Sequence, residues 1–167
     1  MIWRIIAYVL AMSLASTTGA LAHGDEDHKV QTKKGDVQAG GHAAALGEPG
    51  DPGKVTRTIE VEMSDAMRFR PDSITVKRGE TIRFIARNTG KVKHEMVLGT
   101  IKELKEHAGS MRKFPEMEHA DPNQVTVDPG KTGELVWQFA KAGTFDFACL
   151  VPGHFEAGMV GKIRVGR

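Results

Sequence analysis

The sequence predicts an all-β chain: a Greek-key sandwich of two sheets, with one helical insert and a disordered N-terminal tail. Three observations carry this. From Val55 onward, short runs alternate apolar and polar residues and are punctuated by turn residues, the pattern of antiparallel or mixed sandwiches. A single stretch, 100–114, repeats its apolar residues at helical spacing. The stretch 23–54 holds almost no large apolar side chain and cannot bury enough surface to order itself.

The elements follow in chain order. Residues 1–22 read as a secretory leader, with Arg4 as its positive start, Ile5 to Leu14 as its apolar segment and Ala20-Leu21-Ala22 as a small-x-small cleavage pattern. The apolar segment is short for a bilayer span, and no lipobox cysteine follows. Export to the periplasm is expected, with no membrane span once the leader is cut. Cleavage after Ala22 would leave His23 at the N-terminus, where its α-amine and ring nitrogen could chelate a divalent transition-metal ion. Residues 23–54 form a polar tail in which His23, His28 and His42 offer scattered metal-binding capacity. Glu48-Pro49-Gly50-Asp51-Pro52-Gly53 marks its end, so the folded domain is expected over 55–167.

Ile59, Val61 and Met63 alternate with Glu60 and Glu62, a strand with one wet face. Phe69 stands between two arginines. Ile74 with Val76, and Ile82 with Phe84, make two further strands, closed by Arg78-Gly79 and Asn88-Thr89-Gly90. Val92, His94, Met96 and Leu98 share one face by period two, which points His94 inward among apolar neighbours. Thr100-Ile101-Lys102-Glu103 matches a capping box. Ile101, Leu104, Ala108 and Met111 then recur as a helical stripe that Pro115 ends. Beyond it, Gln124 to Val127, Leu135-x-Trp137-x-Phe139, Gly143 to Cys149 and Val160 to Val165 supply the remaining strands. About seven or eight strands are expected in all.

Bulk composition narrows the function. A chain of 167 residues is long enough for one domain with a real core. Its net charge of +2 gives no case for nucleic acid. A single cysteine excludes an internal disulfide, and an exported lone thiol is a liability unless something occupies it. It is either an inert buried residue or a ligand.

The surroundings of that cysteine favour a ligand. In Gly143-Thr144-Phe145-Asp146-Phe147-Ala148-Cys149, the sulfur continues the inward phase of the two phenylalanines. Four residues separate Cys149 from His154, and four more separate His154 from Met159, with a Pro152-Gly153 turn between. Thiolate, imidazole and thioether make a soft set that suits copper, whereas zinc usually chooses stronger ligands than Met159. A trigonal site needs one more imidazole, and His94 is the best candidate. The far end of the helical stretch adds His107, Met111, Met117 and His119, an imidazole and thioether set suited to a second site for Cu(I). The alternative is that Met111 fills the core and the others lie on the surface.

Gly-x-Phe-x-Phe-x-Cys, Pro-Gly-His and Gly-Met-x-Gly together resemble the ligand loop of the cupredoxins, the small type 1 copper proteins. The loop spacing is similar to that of rusticyanin. Length, leader, histidine-bearing front segment and the region Lys93 to Leu98 resemble the periplasmic cupredoxins of bacterial copper resistance (CopI-like). This resemblance implies one type 1 copper held by His94, Cys149 and His154 in a plane, with Met159 as a weak axial ligand. It also implies an apolar patch of Leu150, Val151, Pro152 and Phe155 where one edge of His154 meets a redox partner protein. Many cupredoxins carry Asn after the first histidine, where it ties the ligand loops together; this sequence has Glu95. The expected protein is a monomer and not an enzyme, since multicopper oxidases and nitrite reductases need richer histidine sets than the seven here. It binds copper and transfers electrons in the service of copper tolerance, or else is a dedicated respiratory carrier of the plastocyanin and rusticyanin type.

Overall fold

The structure, a computed structural model, describes residues 45–115 and 120–167. Along them run β1 (Gly47–Pro49), β2 (Arg57–Ser64), β3 (Arg68–Arg70), β4 (Ser73–Lys77), β5 (Thr81–Asn88), β6 (His94–Gly99), α1 (Ile101–Lys113), β7 (Gln124–Val127), β8 (Thr132–Phe139), β9 (Gly143–Ala148) and β10 (Val160–Gly166). The strands form two five-stranded sheets, ordered β1-β8-β5-β2-β3 and β4-β10-β9-β6-β7. Two pairings are parallel, β2 with β5 and β4 with β10; the others are antiparallel. The expected two-sheet sandwich with one helix is therefore what the chain adopts.

Alternation decides what each strand buries. Val61 and Met63 of β2, Ile82, Phe84 and Ala86 of β5, and Leu135, Trp137 and Phe139 of β8 turn one face of the first sheet inward. Ile74 and Val76, Met96 and Leu98, Phe145 and Phe147, and Ile163 and Val165 do the same for the second. Each large apolar side chain so buried contributes roughly 1.5–3 kcal/mol relative to exposure. Phe147 meets Phe69 edge to face at 4.9 Å. Its ring also lies over Gly161, the residue paired with it on β10; a Cβ there would come within 2.2 Å of the ring.

β6 and β9 depart from simple alternation. Val97, Ala148 and Leu150 are buried on the outer face of the second sheet, beneath Leu104 and Ala108 of α1. The insert thus makes a second, smaller core. Thr100 caps α1 as expected, its hydroxyl accepting from the Glu103 amide while the Glu103 carboxylate accepts from the Thr100 amide. The helical stripe is narrower than predicted, because Ile101 is 49% exposed at the first helical position. Asp146, also buried, pairs with Lys162 across the β9–β10 ladder at 3.3 Å.

Two expectations need correction. Val92 does not share the inward face of His94; it is exposed, because the chain turns through 89–93 and β6 begins only at His94. The folded domain also starts before Val55. Leu46 is 1% exposed, β1 pairs with the edge of β8, and the Gly50 amide donates to Val136 O at 3.0 Å. Leu46 and the β1–β8 pairing thus attach to the first sheet a segment that polar composition assigns to the tail. The rest of the expected leader and tail lies outside the described residues. Among the described residues no helix is long and apolar enough to cross a membrane.

Replacing Leu46 with alanine should therefore cost about 2–4 kcal/mol in chemical denaturation, as for other fully buried leucines. A denaturation curve matching the parent's would show that this segment adds nothing to the fold.

Candidate metal centre

The first contributor is the opening residue of β6. The pairing of His94 with Val127 on β7 fixes its backbone, and its side chain is wholly buried. The second is Cys149, one residue past β9, equally buried among the side chains of the main core. From it the chain makes a tight excursion. The His154 amide donates to Val151 O, that of Ala157 to Gly153 O and that of Met159 to His154 O, at 2.9–3.1 Å. The Cys149 amide donates to Met159 O at 3.1 Å, which closes the loop at its base.

Other elements brace this loop. Arg68 Nη1 donates to the carbonyls of Ala157 and Gly158 at 3.0 and 3.4 Å. Arg112, in the last turn of α1, pairs with Glu156 at 3.0 Å. The helical insert therefore holds the loop as well as covering the sheet.

The result is a convergence of donors. Cys149 Sγ lies 3.2 Å from His154 Nδ1 and 3.9 Å from His94 Nδ1. The two imidazole rings are 4.9 Å apart and tilted by 51°. One donor atom from each of the three residues falls within 4.8 Å of the others. Met159 is fully buried in the same core as Cys149. His154 is half-buried, so this imidazole reaches the surface while His94 does not.

Hydrogen bonds around the donors set their chemistry. The Glu95 amide donates to Cys149 Sγ at 3.3 Å. The backbone thus makes a link between the His94 strand and the cysteine, whatever side chain follows the histidine. On its far edge, His94 Nε2 lies 3.2 Å from Asp65 Oδ1. Burial pushes the Cys149 thiol up to about 12, against a smaller opposing pull from the Glu95 and Val151 amides. Burial, followed by the nearby His94, lowers His154, while Asp65 partly offsets this. The Lys91 amide holds the Asp65 carboxyl below its ordinary value, assisted by His94.

One sulfur and two imidazole nitrogens within 4.8 Å of one another, with Met159 buried in the same core as the cysteine, fit copper by ligand softness. The whole domain agrees. Residues 55–166 match the model of the copper binding proteins of the plastocyanin/azurin family. The chain belongs to the plastocyanin/azurin family of copper-binding proteins. This cupredoxin is 53% identical over 161 residues to the copper-resistant cuproprotein CopI of Rubrivivax gelatinosus, covering 94% of each chain. It is 38% identical to the protein of the same name in Pseudomonas aeruginosa, covering 74% of this chain and 84% of that one. In fold it is similar to auracyanin B, at 20% identity and a TM-score of 0.61, covering 74% of this cupredoxin and 97% of that chain. It is also similar to auracyanin A, a blue copper protein of Chloroflexus aurantiacus, at 26% identity and a TM-score of 0.56, covering 65% and 98%.

Of the residues singled out in the sequence, His94, Cys149 and His154 come together. His107 and Met111 sit one turn apart on α1, along a groove of about 780 Å³ that Glu95, Val151 and Pro152 also line. His23, His28, His42, Met117 and His119 lie outside the described residues. Asp65 and Arg68 went unnoticed in the sequence. Asp65 is 29 positions from His94, and no spacing rule joins them.

Removing the Arg68 guanidinium should loosen the loop it holds. We expect Arg68→Ala to lower stability by about 1 kcal/mol and to speed amide hydrogen exchange at Gly158 and Met159. Unchanged exchange there would mean that the loop holds itself.

Proposed function

We propose that this cupredoxin is exported to the periplasm, where it binds copper through His94, Cys149, His154 and Met159 and serves copper tolerance. The observation that carries the reading is the approach of two imidazole Nδ1 atoms to one buried sulfur, within 3.9 Å. Copper bound there would supply a one-electron couple between its two common oxidation states. The residues would do the rest. Cys149 gives the anionic sulfur, and the Glu95 amide stabilises that charge by donating to it. His94 is fixed by a strand and the other three by a loop closed at its base, so the cage need move little when charge changes. His154, half-buried beside Val151 and Phe155, provides an edge through which an electron can pass to a partner. The relatives named as copper-resistant cuproproteins in two bacteria favour tolerance over a purely respiratory role. The reading is of a binding and redox protein, not an enzyme.

The groove beside the centre favours a second element of that role. His107 and Met111 stand at helical i, i+4 spacing, on one face, and Glu95 lines the same groove. Imidazole and thioether together suit Cu(I). Copper captured there would lie close to the main site, within reach of oxidation or hand-over.

Two experiments test these readings. Cu(II) added to the mature protein should give a visible sulfur-to-copper charge-transfer band and a matching EPR signal, both lost in Cys149→Ala; a colourless wild-type complex would defeat the ligand assignment. His107→Ala with Met111→Ala should reduce Cu(I) uptake by about one equivalent while sparing the coloured site. Unchanged Cu(I) stoichiometry would rule out the groove.

A further inference from the structure

The Nε2 edge of His94 carries an interaction that the ligand reading does not use. His94 is wholly buried, and its Nδ1 faces the sulfur of Cys149. Its Nε2 faces Asp65 Oδ1 at 3.2 Å. An ionised carboxylate only accepts hydrogen bonds, so the ring proton belongs on Nε2 and the lone pair on Nδ1.

The carboxylate is itself built in. Asp65 follows β2 directly, and its Oδ2 accepts from the Lys91 amide at 2.8 Å. The Thr89 amide donates to Met63 O at 2.9 Å, stitching the end of β2 to the turn that leads into β6. Asn88 shapes that turn: its Oδ1 accepts from the Gly90 amide, and its Nδ2 donates to Val92 O and Val127 O at 2.8 and 2.9 Å. Gly90 leaves room for the carboxylate, since a Cβ there would come within 1.9 Å of Asp65 Oδ1. The turn from Asn88 to Val92, tied to the end of β2 through Met63, thus holds the Asp65 carboxylate against one imidazole edge.

We propose that Asp65 is a positioning residue for the copper centre, orienting His94 through Nε2–H and lowering the reduction potential by its negative charge. This rests on His94 binding copper through Nδ1. Asp65 acts in two ways. It fixes the tautomer and the rotation of a ring whose other edge faces the Cys149 sulfur. It also places an anion on the far side of the imidazole, which makes the ring a stronger donor and favours the more highly charged metal state. The side chain is 40% exposed, so water weakens the second effect without removing it. The electron enters and leaves with no proton transfer in this scheme.

The test uses the full copper-loaded chain with Asp65→Asn and Asp65→Ala. Metal content and the charge-transfer band report the site, redox titration gives the potential, and proton exchange at His94 Nε2–H in the Cu(I) form reports orientation. Asp65→Asn keeps the shape but loses the charge; we expect retained copper, a retained band and a potential shifted upward. Asp65→Ala should shift the potential in the same direction and also speed Nε2–H exchange. If Asp65→Ala fails to fold, the near-isosteric Asp65→Asn alone decides. An intact band with wild-type potential in Asp65→Asn overturns the role of Asp65 and leaves the ligand assignment standing. A wild-type protein without the band overturns both.

Discussion

The candidate site depends on keeping one sulfur atom dry. Cys149 is completely enclosed, at the end of a strand whose inner face lies in the main core and whose outer face lies under a helix. In that setting the thiol holds its proton far above neutral pH, and as a bare side chain it would be inert. Only a partner that replaces the proton makes the position chemically useful. The Glu95 amide and the two Nδ1 atoms aimed at Sγ are placed for such a partner. Burial therefore has two consequences: it suppresses stray thiol chemistry and raises the worth of every dipole directed at the site.

The helical insert belongs to the same problem. A sheet with both faces covered needs apolar residues on both sides, and β9 supplies Phe145 and Phe147 inward with Ala148 outward. Without α1, Val97, Ala148 and Leu150 would lose the cover of Leu104 and Ala108. The helix supplies that cover and then reaches the loop itself through Arg112 and Glu156. It also forms one wall of the groove that holds His107 and Met111. Cover, brace and groove wall are thus three uses of one element, and all three lie near the candidate metal site.

What could be read from the sequence was local. Period-two alternation found the strands, Thr100 and Glu103 announced the helix, and the spacing of Cys149, His154 and Met159 marked the loop. What could not be read was whatever depends on pairing between distant segments. Asp65 meets His94 because β2 lies parallel to β5, which sets Met63 opposite Asn88 and brings the ends of both strands to one place. Parallel neighbours leave no turn between them for a reader to find. Leu46 escaped for the opposite reason: it is a lone apolar residue in polar company, and its strand is defined by the edge it covers. Val92 shows the cost of extending a period too far, since alternation continued by two residues past the true start of β6 gave the wrong face.

These long-range contacts also explain how a site can be rigid when most of its proposed donors sit in one loop. Loops are ordinarily the mobile part of a fold. This one is closed at its base by the Cys149–Met159 backbone bond, held on one flank by Arg68 from the first sheet and on another by Arg112 from the helix. The remaining donor, His94, arrives on a strand and is met at its far edge by Asp65. Each restraint comes from a different element, so no single hinge can open the cage. A change of charge at the metal would then be absorbed by hydrogen bonds to sulfur and imidazole, with the backbone staying in place. Such low reorganisation is what an electron carrier requires. It also means that the tuning of this centre lies as much in Asp65, Arg68 and the Glu95 amide as in the four proposed ligands.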